Sequence, residues 1–357
     1  MRSRKLLLTS AASLVAASIA LPGTAQADEP IKVVATFSIL GDMVNQIGGD
    51  KIELVTLVGP DGDAHVYQPT PQAAKAVSEA DVLILNGLEF EGWLERLTEA
   101  ASFDGALVVA TKGVDAIAFD EHGEEGHDDH DDHDDHAEDK HSDHDEHDHG
   151  DEHAGHDDHE DHKDEHADHD DHGDDHAGHD HGAFDPHAWQ SVDNAMIYVD
   201  NIAEGLAKSD PENAGAFYTN RAAYVTELEA LESEIVEMMG DLPEEKRTVV
   251  TSHDAFGYFA DHYGLRFEAP QGLSTESEPS AADVAELITQ IRDEKISAVF
   301  VETITDNRLI EQIANETGAA IGGTLYSDAL SDEDGPASTY IDMMRHNATT
   351  LSSALGS

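Results

Sequence analysis

Apolar positions in the N-terminal third of the chain follow two alternating patterns. Four short, continuous apolar runs are typical of buried parallel strands: Ile31–Phe37, Ile52–Val58, Val82–Leu85 and Ala106–Ala110. Between these runs, apolar residues recur every three or four positions, which predicts helices over Leu40–Ile47, Pro71–Ala80 and Phe90–Ala100. Strands that alternate with helices indicate β-α-β units and a parallel sheet covered on both faces.

A second alternating block occupies the C-terminal part of the chain. Its predicted strands are Thr248–Ser252, Leu265–Ala269, Ala298–Val301 and Ala319–Leu325. Its predicted helices are Ala255–Tyr263, Ser280–Lys295, Asn307–Thr317 and Thr339–Leu355. The same argument therefore predicts a second α/β lobe.

The segment between the two blocks predicts two helices. The first covers Val192–Ala207, and the second is expected to begin with Asp210 as N-cap and Pro211 as its first helical residue. One apolar stripe then continues at helical spacing through Phe217, Tyr224, Leu228, Leu231, Ile235 and Met238. This long helix is expected to link the lobes.

The N-terminus has the three parts of a secretory signal peptide. A basic start, Met1–Lys5, precedes the apolar stretch Leu6–Leu21 and the A-x-A site at Ala25–Ala27. The stretch is shorter than the ~20 strongly apolar residues of a membrane span, which disfavours an uncleaved anchor. Cleavage after Ala27 is expected to give a soluble periplasmic protein. Because the sequence contains no cysteine, a lipid anchor on cysteine is not expected.

Composition excludes several functions. The net charge of -58, from 77 Asp+Glu against 19 Lys+Arg, argues against binding nucleic acid or an anionic membrane. The absence of cysteine excludes disulfides, thiol catalysis and cysteine-ligated metal sites. Histidine is the unusual residue, with 24 copies.

Most of these histidines lie in one run. Residues 120–181 contain 19 His, 30 Asp+Glu and two Lys but no large apolar side chain, so the run is predicted to be disordered. The run is either a solvated linker or a weak metal reservoir whose neutral imidazoles bind divalent cations increasingly above pH ~6.5. The candidate weak ligands are His130, His133, His136, His144, His147, His149, His153, His156, His159, His162, His166, His169, His172, His176, His179 and His181.

These patterns divide the chain into five segments of an α/β protein. They are a signal peptide (1–27), an N-terminal α/β lobe (28–119), the His/Asp-rich insertion (120–182), a helical section with the linking helix (183–240) and a C-terminal α/β lobe (241–357).

Outside the run, three histidines and one aspartate are candidates for a metal site. His65 follows the second predicted strand, His253 follows the first strand of the second lobe, and Asp328 follows a late strand of that lobe. His187 enters the helical section. Open α/β sheets bind ligands at the carboxyl ends of their strands, so a cleft between the lobes could gather these side chains. Three imidazoles and one carboxylate suit four-coordinate Zn²⁺ better than Mn²⁺. The remaining two, His262 and His346, are expected to be ordinary helix residues.

Several stretches resemble one known family, the periplasmic metal-binding proteins of ABC importers in the zinc-specific (ZnuA-like and AztC-like) branch. They are Gly59–Pro71, Asp185–Trp189, Asp210–Asn213, Thr251–Phe259, Gly272–Pro279 and Asp328. The resemblance runs from Ile31 to the C-terminus and is interrupted by the acidic run. Glu276 and Glu278, within Gly272–Pro279, have two possible interpretations. They either support the metal ligands or a docking surface, or they belong to a loop that leads into the N-cap of the helix from Ser280.

The resemblance implies two lobes bridged by a rigid helix, with zinc held between the lobes by His65, His187, His253 and Asp328. Some members leave the fourth position to water, and many have proline where this chain has Ala64. Manganese and iron relatives often carry glutamate at the place of His253, so this histidine favours zinc. The implied partners are an ABC-transporter membrane permease and a periplasmic zinc chaperone, and a monomer that does not bind nucleic acid is expected.

Three alternatives to a zinc carrier stay open at this point. The first is a manganese or iron carrier of the same family. The second is a zinc-dependent hydrolase, disfavoured because the chain has no H-E-x-x-H or G-x-S-x-G motif and because a fourth protein ligand would leave no place for a reactive water. The third is a metal-buffering adhesin.

Overall fold

The computed structural model describes residues 29–119 and 183–356 as two α/β lobes with two linking helices. The N-terminal lobe contains β1 (Ile31–Phe37), α1 (Ser38–Gly48), β2 (Ile52–Val58), α2 (Pro71–Ser78), β3 (Val82–Leu85), α3 (Leu94–Ala101) and β4 (Ala106–Val109). The linking helices are α4 (Val192–Ser209) and α5 (Ala214–Gly240). The C-terminal lobe contains β5 (Thr248–Val250), α6 (Gly257–Tyr263), β6 (Arg266–Glu268), α7 (Ala281–Glu294), β7 (Ala298–Glu302), α8 (Arg308–Thr317), β8 (Ala320–Leu325) and α9 (Tyr340–Leu355).

The predicted two-lobe α/β class is confirmed. The proposed signal peptide and the whole His/Asp-rich insertion, with every candidate weak ligand in it, lie outside the described residues. The division into five segments stays a prediction. No helix in residues 29–119 or 183–356 is long and apolar enough to cross a bilayer.

Each lobe is built on a four-stranded parallel sheet, and both sheets have the same topology. The strand orders are β2-β1-β3-β4 and β6-β5-β7-β8. In each sheet the second strand lies on one side of the first and the third strand on the other, so the order reverses beside β1 and β5. Such a reversal opens a crevice at the carboxyl ends of the strands, where open α/β sheets bind ligands.

The linking helices pack against both lobes. Helix α5 contacts α1 of the N-terminal lobe, α6 and α9 of the C-terminal lobe, and α4 along its length. Its buried residues are Phe217, Tyr224, Leu228, Leu231, Ile235 and Met239. The predicted stripe therefore ends at Met239 and not at Met238, which is only half-buried. One apolar core runs from the first lobe through these helices into the second, so the two lobes share a common base.

The start of α5 was predicted wrongly. The helix begins at Ala214, after Asn213, and Asp210 instead ends α4. The Asp210 carboxylate accepts hydrogen bonds from the backbone N–H (3.3 Å) and the side-chain amide (2.6 Å) of Asn213, which closes the turn between the two helices.

Helix α3 also begins later than predicted, at Leu94. Residues 88–89 and 92–93 form turns, and between them the buried carboxylate of Glu91 accepts the N–H groups of Asn86 (2.7 Å) and Gly87 (3.2 Å). This turn frees Phe90 and Trp93 to pack beside the cleft. The other predicted elements differ from the observed ones mostly at their ends, by one or two residues.

Candidate metal centre

Four side chains from distant parts of the chain meet between the lobes, and we call this group the cleft site: His65, His187, His253 and Asp328. One donor atom from each lies within 4.8 Å of all the others. The Asp328 Oδ2 atom is 3.1 Å from His65 Nε2 and 3.2 Å from His253 Nε2. The two imidazole nitrogens His65 Nε2 and His187 Nε2 are 3.4 Å apart. These three separations match the edge lengths of a tetrahedral zinc site, roughly 3.3 Å for bonds near 2.0–2.1 Å.

His65 lies in the loop after β2, and its backbone is fixed from two sides. Its N–H donates to Asp63 Oδ1 (2.9 Å), and the carbonyl of the preceding Ala64 accepts from the Trp93 indole N–H (2.8 Å). The ring centroid of Phe90 lies 4.8 Å from that of His65. The late start of α3 therefore has a direct consequence at the site, because the turn before it supplies both aromatic contacts.

His187 is completely buried at the junction that leads into α4. The Oδ1 atom of Asp185 lies 2.8 Å from His187 Nδ1 and 2.9 Å from its backbone N–H, which directs Nε2 toward the shared centre. Position 257 is glycine for a steric reason, since a Cβ there would come within 2.4 Å of Asp185 Oδ2. The Asn86 amide also donates to the Pro186 carbonyl (2.9 Å), so both sides of the junction are held.

His253 follows β5 and is held by Glu302, the last residue of β7. One carboxylate oxygen, Oε1, accepts the backbone N–H groups of Ser252 (2.7 Å) and His253 (3.0 Å). The other, Oε2, lies 2.7 Å from His253 Nδ1, although off the line of a good hydrogen bond. These contacts end β5 at Val250, two residues earlier than predicted, because the chain turns toward Glu302.

Asp328 follows β8 and is completely buried. Its Oδ1 atom lies 3.7 Å from His187 Nε2 and has no hydrogen-bond partner among the described residues. A buried carboxylate oxygen without a partner is costly, and a bound cation removes that cost. The preceding carbonyl, of Ser327, accepts from Trp189 Nε1 (2.9 Å) and Gln190 Nε2 (2.7 Å), which fixes the backbone of the loop.

The electrostatics of the cleft site couple His253 to Asp328. Burial alone lowers the pKa of His253, but the carboxylates of Glu302 and Asp328 outweigh it and raise that pKa well above its usual value. Burial raises the pKa of Asp328, yet the imidazoles of His253 and His187 hold it well below its usual range. Below the raised pKa of His253, the cleft site therefore places a protonated His253 beside an ionised Asp328.

A hydrogen bond between the lobes crosses the mouth of the cleft. The hydroxyl of Thr275, in the C-terminal lobe, donates to Asp63 Oδ2 (2.6 Å), while the other oxygen of Asp63 holds the His65 backbone. A cavity of about 520 Å³ opens beside it and is lined in part by Asp63, Ser252 and Glu278. Glu278 is therefore at the mouth and not among the four donors. Ser280 caps α7 with a capping box, as the loop interpretation of Gly272–Pro279 expects.

Sequence reasoning did not assign the two carboxylates that orient the imidazoles. The sequence contained a clue to Asp185, which stands two residues before His187. It also contained a clue to Glu302, a charged residue directly after the apolar run Ala298–Val301. Its pairing with His253, 49 residues earlier, depends on β5 and β7 being neighbours in the sheet.

Comparison with known families decides what kind of protein carries this cleft. The model of the family described as the periplasmic component A of the zinc-uptake complex (ZnuA) matches residues 33–354. The chain belongs to this family. As a member of the ZnuA family, it is a metal-binding substrate-binding protein of an ABC importer and not an enzyme.

Relatives in the family are named for different metals. The manganese-binding lipoprotein MntA of Halalkalibacterium halodurans is 31% identical over 93% of this chain and 91% of its own length. The iron-binding protein YfeA of Yersinia pestis is 29% identical over 91% of this chain and 86% of its own.

Solved structures of the same fold are also described with different metals. The periplasmic zinc-binding protein TroA of Treponema pallidum has a TM-score of 0.71 at 26% identity and covers 91% of this chain and 99% of its own. A manganese-bound periplasmic protein of Candidatus Liberibacter asiaticus has a TM-score of 0.69 at 27% identity, with the same coverage. The family thus establishes a divalent metal as the cargo, while the metal itself has to be argued from the donors of this chain.

Proposed function

We propose that this protein captures Zn²⁺ in the cleft site and delivers it to the membrane permease of an ABC importer. The observation that carries the proposal is the convergence of three imidazole nitrogens and one carboxylate oxygen within 4.8 Å. In this proposal His65, His187, His253 and Asp328 are the four ligands, and Asp328 fills the position that a catalytic zinc site leaves to water.

The donor chemistry supports zinc over the other metals named among the relatives. An N3O set of four ligands suits Zn²⁺, whereas Mn²⁺ lies at the weak end of the affinity order and takes more oxygen ligands. A manganese or iron carrier is the second candidate, because relatives are named for these metals.

The outer carboxylates explain how capture would work. With Asp185 and Glu302 facing the Nδ1 atoms of His187 and His253, the Nε2 lone pairs face the cleft and are ready to bind a cation. Zn²⁺ binds neutral imidazole, so loading would expel the proton of His253. Release would require the lobes to separate the donors of His65 from those of His253 and Asp328.

The proposal is tested by metal stoichiometry and competition on the mature protein. We expect Zn²⁺ to displace Mn²⁺ from one tight site, and His187→Ala to remove that site while His346→Ala, a histidine outside the cleft, retains it. Tighter binding of Mn²⁺ than of Zn²⁺ would favour the second candidate. A tight site that survives in His187→Ala would contradict the ligand assignment.

We also propose that the insertion 120–182 captures metal for the cleft. Support comes from where its ends lie: Ala118 and Phe184 form an antiparallel bridge, and Asp185 N–H donates to the Ile117 carbonyl (2.9 Å). The run is thereby tethered within a few residues of His187, which gives its weak ligands a high effective concentration. Deleting 120–182 should lower total zinc bound and leave the tight site intact, whereas loss of the tight site would contradict the proposal.

The remaining proposals concern location and assembly. We propose that residues 1–27 are cleaved, so that N-terminal sequencing of the exported protein should begin at Asp28. Several relatives are lipoproteins, but this sequence has no cysteine for a lipid. A monomer in solution and loading by a periplasmic zinc chaperone complete the proposal.

A further inference from the structure

A second group of metal-ligating side chains lies where three helices meet on the surface. Asp193 is in the first turn of α4, Glu232 is on α5 and His262 is in the last turn of α6. One donor atom from each lies within 4.8 Å of the other two. We call these three residues the surface cluster.

The geometry of the surface cluster fits one cation with open positions. His262 Nε2 is 2.8 Å from Glu232 Oε1 and 3.9 Å from Asp193 Oδ2. The other oxygen of Glu232 accepts from the Tyr263 hydroxyl (2.7 Å), which fixes the carboxylate. The Asp193 side chain is 57% exposed, so its carboxylate can move the few tenths of an ångström closer to His262 that a shared ion requires. Water can complete the coordination.

We propose that the surface cluster is a second divalent-metal site, weaker than the cleft site, that fastens α6 to α4 and α5. An imidazole with two carboxylates is a donor set that Zn²⁺ accepts, with water in the fourth position. One imidazole and solvent exposure give a weaker site than three buried imidazoles.

The position of the surface cluster gives the second ion a mechanical consequence. Helix α4 packs against β3, β4 and α1 of the N-terminal lobe, whereas α6 belongs to the C-terminal lobe and begins four residues after His253. An ion that joins these helices restrains the segment that carries His253. This consequence rests on the proposed function: the ion would oppose the lobe separation that release of the cleft metal requires, so abundant metal would favour the closed state.

The test uses the full chain with the cleft site already loaded. After one equivalent of Zn²⁺, thermal unfolding is followed as free zinc is raised, in wild type, His262→Gln and the matched control His346→Gln. At about 100 times the dissociation constant, the second ion should raise Tm by roughly 5 °C in wild type and in the control. We expect no such rise in His262→Gln, because its uncharged amide replaces the nitrogen ligand.

Two further measurements keep the result independent of any folding defect. Asp193→Asn changes the most exposed member and should halve the rise or reduce it further. Anomalous diffraction from zinc-soaked crystals of the full chain should show a peak between the three side chains. An equal rise in all variants, the absence of a rise in wild type, or no peak at this position would overturn the proposal.

Discussion

The cleft site and the surface cluster use the same kinds of side chain in opposite surroundings. In the cleft, His187, His253 and Asp328 have no exposed side-chain surface, and each of these two imidazoles is held by a carboxylate on its far nitrogen. In the surface cluster, His262 is 28% exposed and its near carboxylate, Glu232, contacts the donor nitrogen itself. We therefore expect burial and outer carboxylates, more than residue type, to make the cleft site the stronger of the two.

The largest loss of Zn²⁺ affinity is expected when the buried carboxylate is removed from the cleft site. Asp328→Asn removes the negative charge while keeping the shape, so Zn²⁺ affinity should fall by more than the roughly 10–100-fold that outer partners typically contribute. Competition with a chromophoric chelator measures the change. Asp193→Asn is the matched substitution in the surface cluster and should leave the tight affinity unchanged; equal effects of the two would erase the distinction between the sites.

A smaller effect is expected from the carboxylate behind His253. Glu302→Gln leaves the four donors in place but no longer stabilises a positively polarised His253, so Zn²⁺ affinity should fall by roughly 10–100-fold. Glu286→Gln, on the exposed face of α7, serves as the control. An unchanged affinity in Glu302→Gln, measured by the same competition assay, would show that burial alone accounts for the strength of the cleft site.

The pH dependence should report the proton on His253. Because its pKa is raised in the metal-free protein, protons compete with zinc over a range that extends above the usual value for histidine. Apparent affinity should therefore rise with pH up to that raised pKa, by up to about tenfold per unit for each proton displaced. Calorimetry in buffers of different ionisation enthalpy measures the protons released. Identical heats in all buffers would contradict proton displacement.

The same shift has a consequence for the stability of the metal-free protein. The charged form of His253 stabilises the folded chain fully below the pKa of an unfolded histidine, about 6.5, and this contribution is lost as pH rises through the raised pKa. The midpoint of urea unfolding for metal-free protein should fall over that range. Zinc-loaded protein should not show this particular decrease, since the metal has already displaced the proton.

The smallest expected effect concerns the hydrogen bond across the mouth of the cleft. Thr275→Val removes the donor to Asp63 and loosens the loop that carries His65, so zinc should dissociate about fivefold faster, as expected for one hydrogen bond of about 1 kcal/mol. Stopped-flow release into a chelator measures this rate. Thr289→Val is a suitable control, because the hydroxyl of this exposed residue donates to the Ala285 carbonyl within its own helix. Equal rates in wild type and Thr275→Val would mean that closure does not depend on this contact.

The element pattern was predictable because it depends on local periodicity. Runs such as Ile31–Phe37 and Val82–Leu85 are strands with the predicted limits, since a continuous apolar run between breakers has few other stable outcomes in a parallel sheet. The errors occurred where a side chain far away in sequence, or a cap, changed the backbone. Glu302 ended β5 early, and the Asp210 turn moved the start of α5 to Ala214.

By itself, the sequence determined the α/β alternation, the apolar faces that build the core and the residue types available to a metal. Only the tertiary structure decided which side chains meet at one site, because this depends on strand order and on the packing of α4 and α5 between the lobes. His187 and Asp328 are 141 positions apart, yet their donor atoms lie 3.7 Å apart. Local periodicity contains no information about such distances, since a loop of almost any length can bring two strand ends to the same crevice at little extra entropic cost.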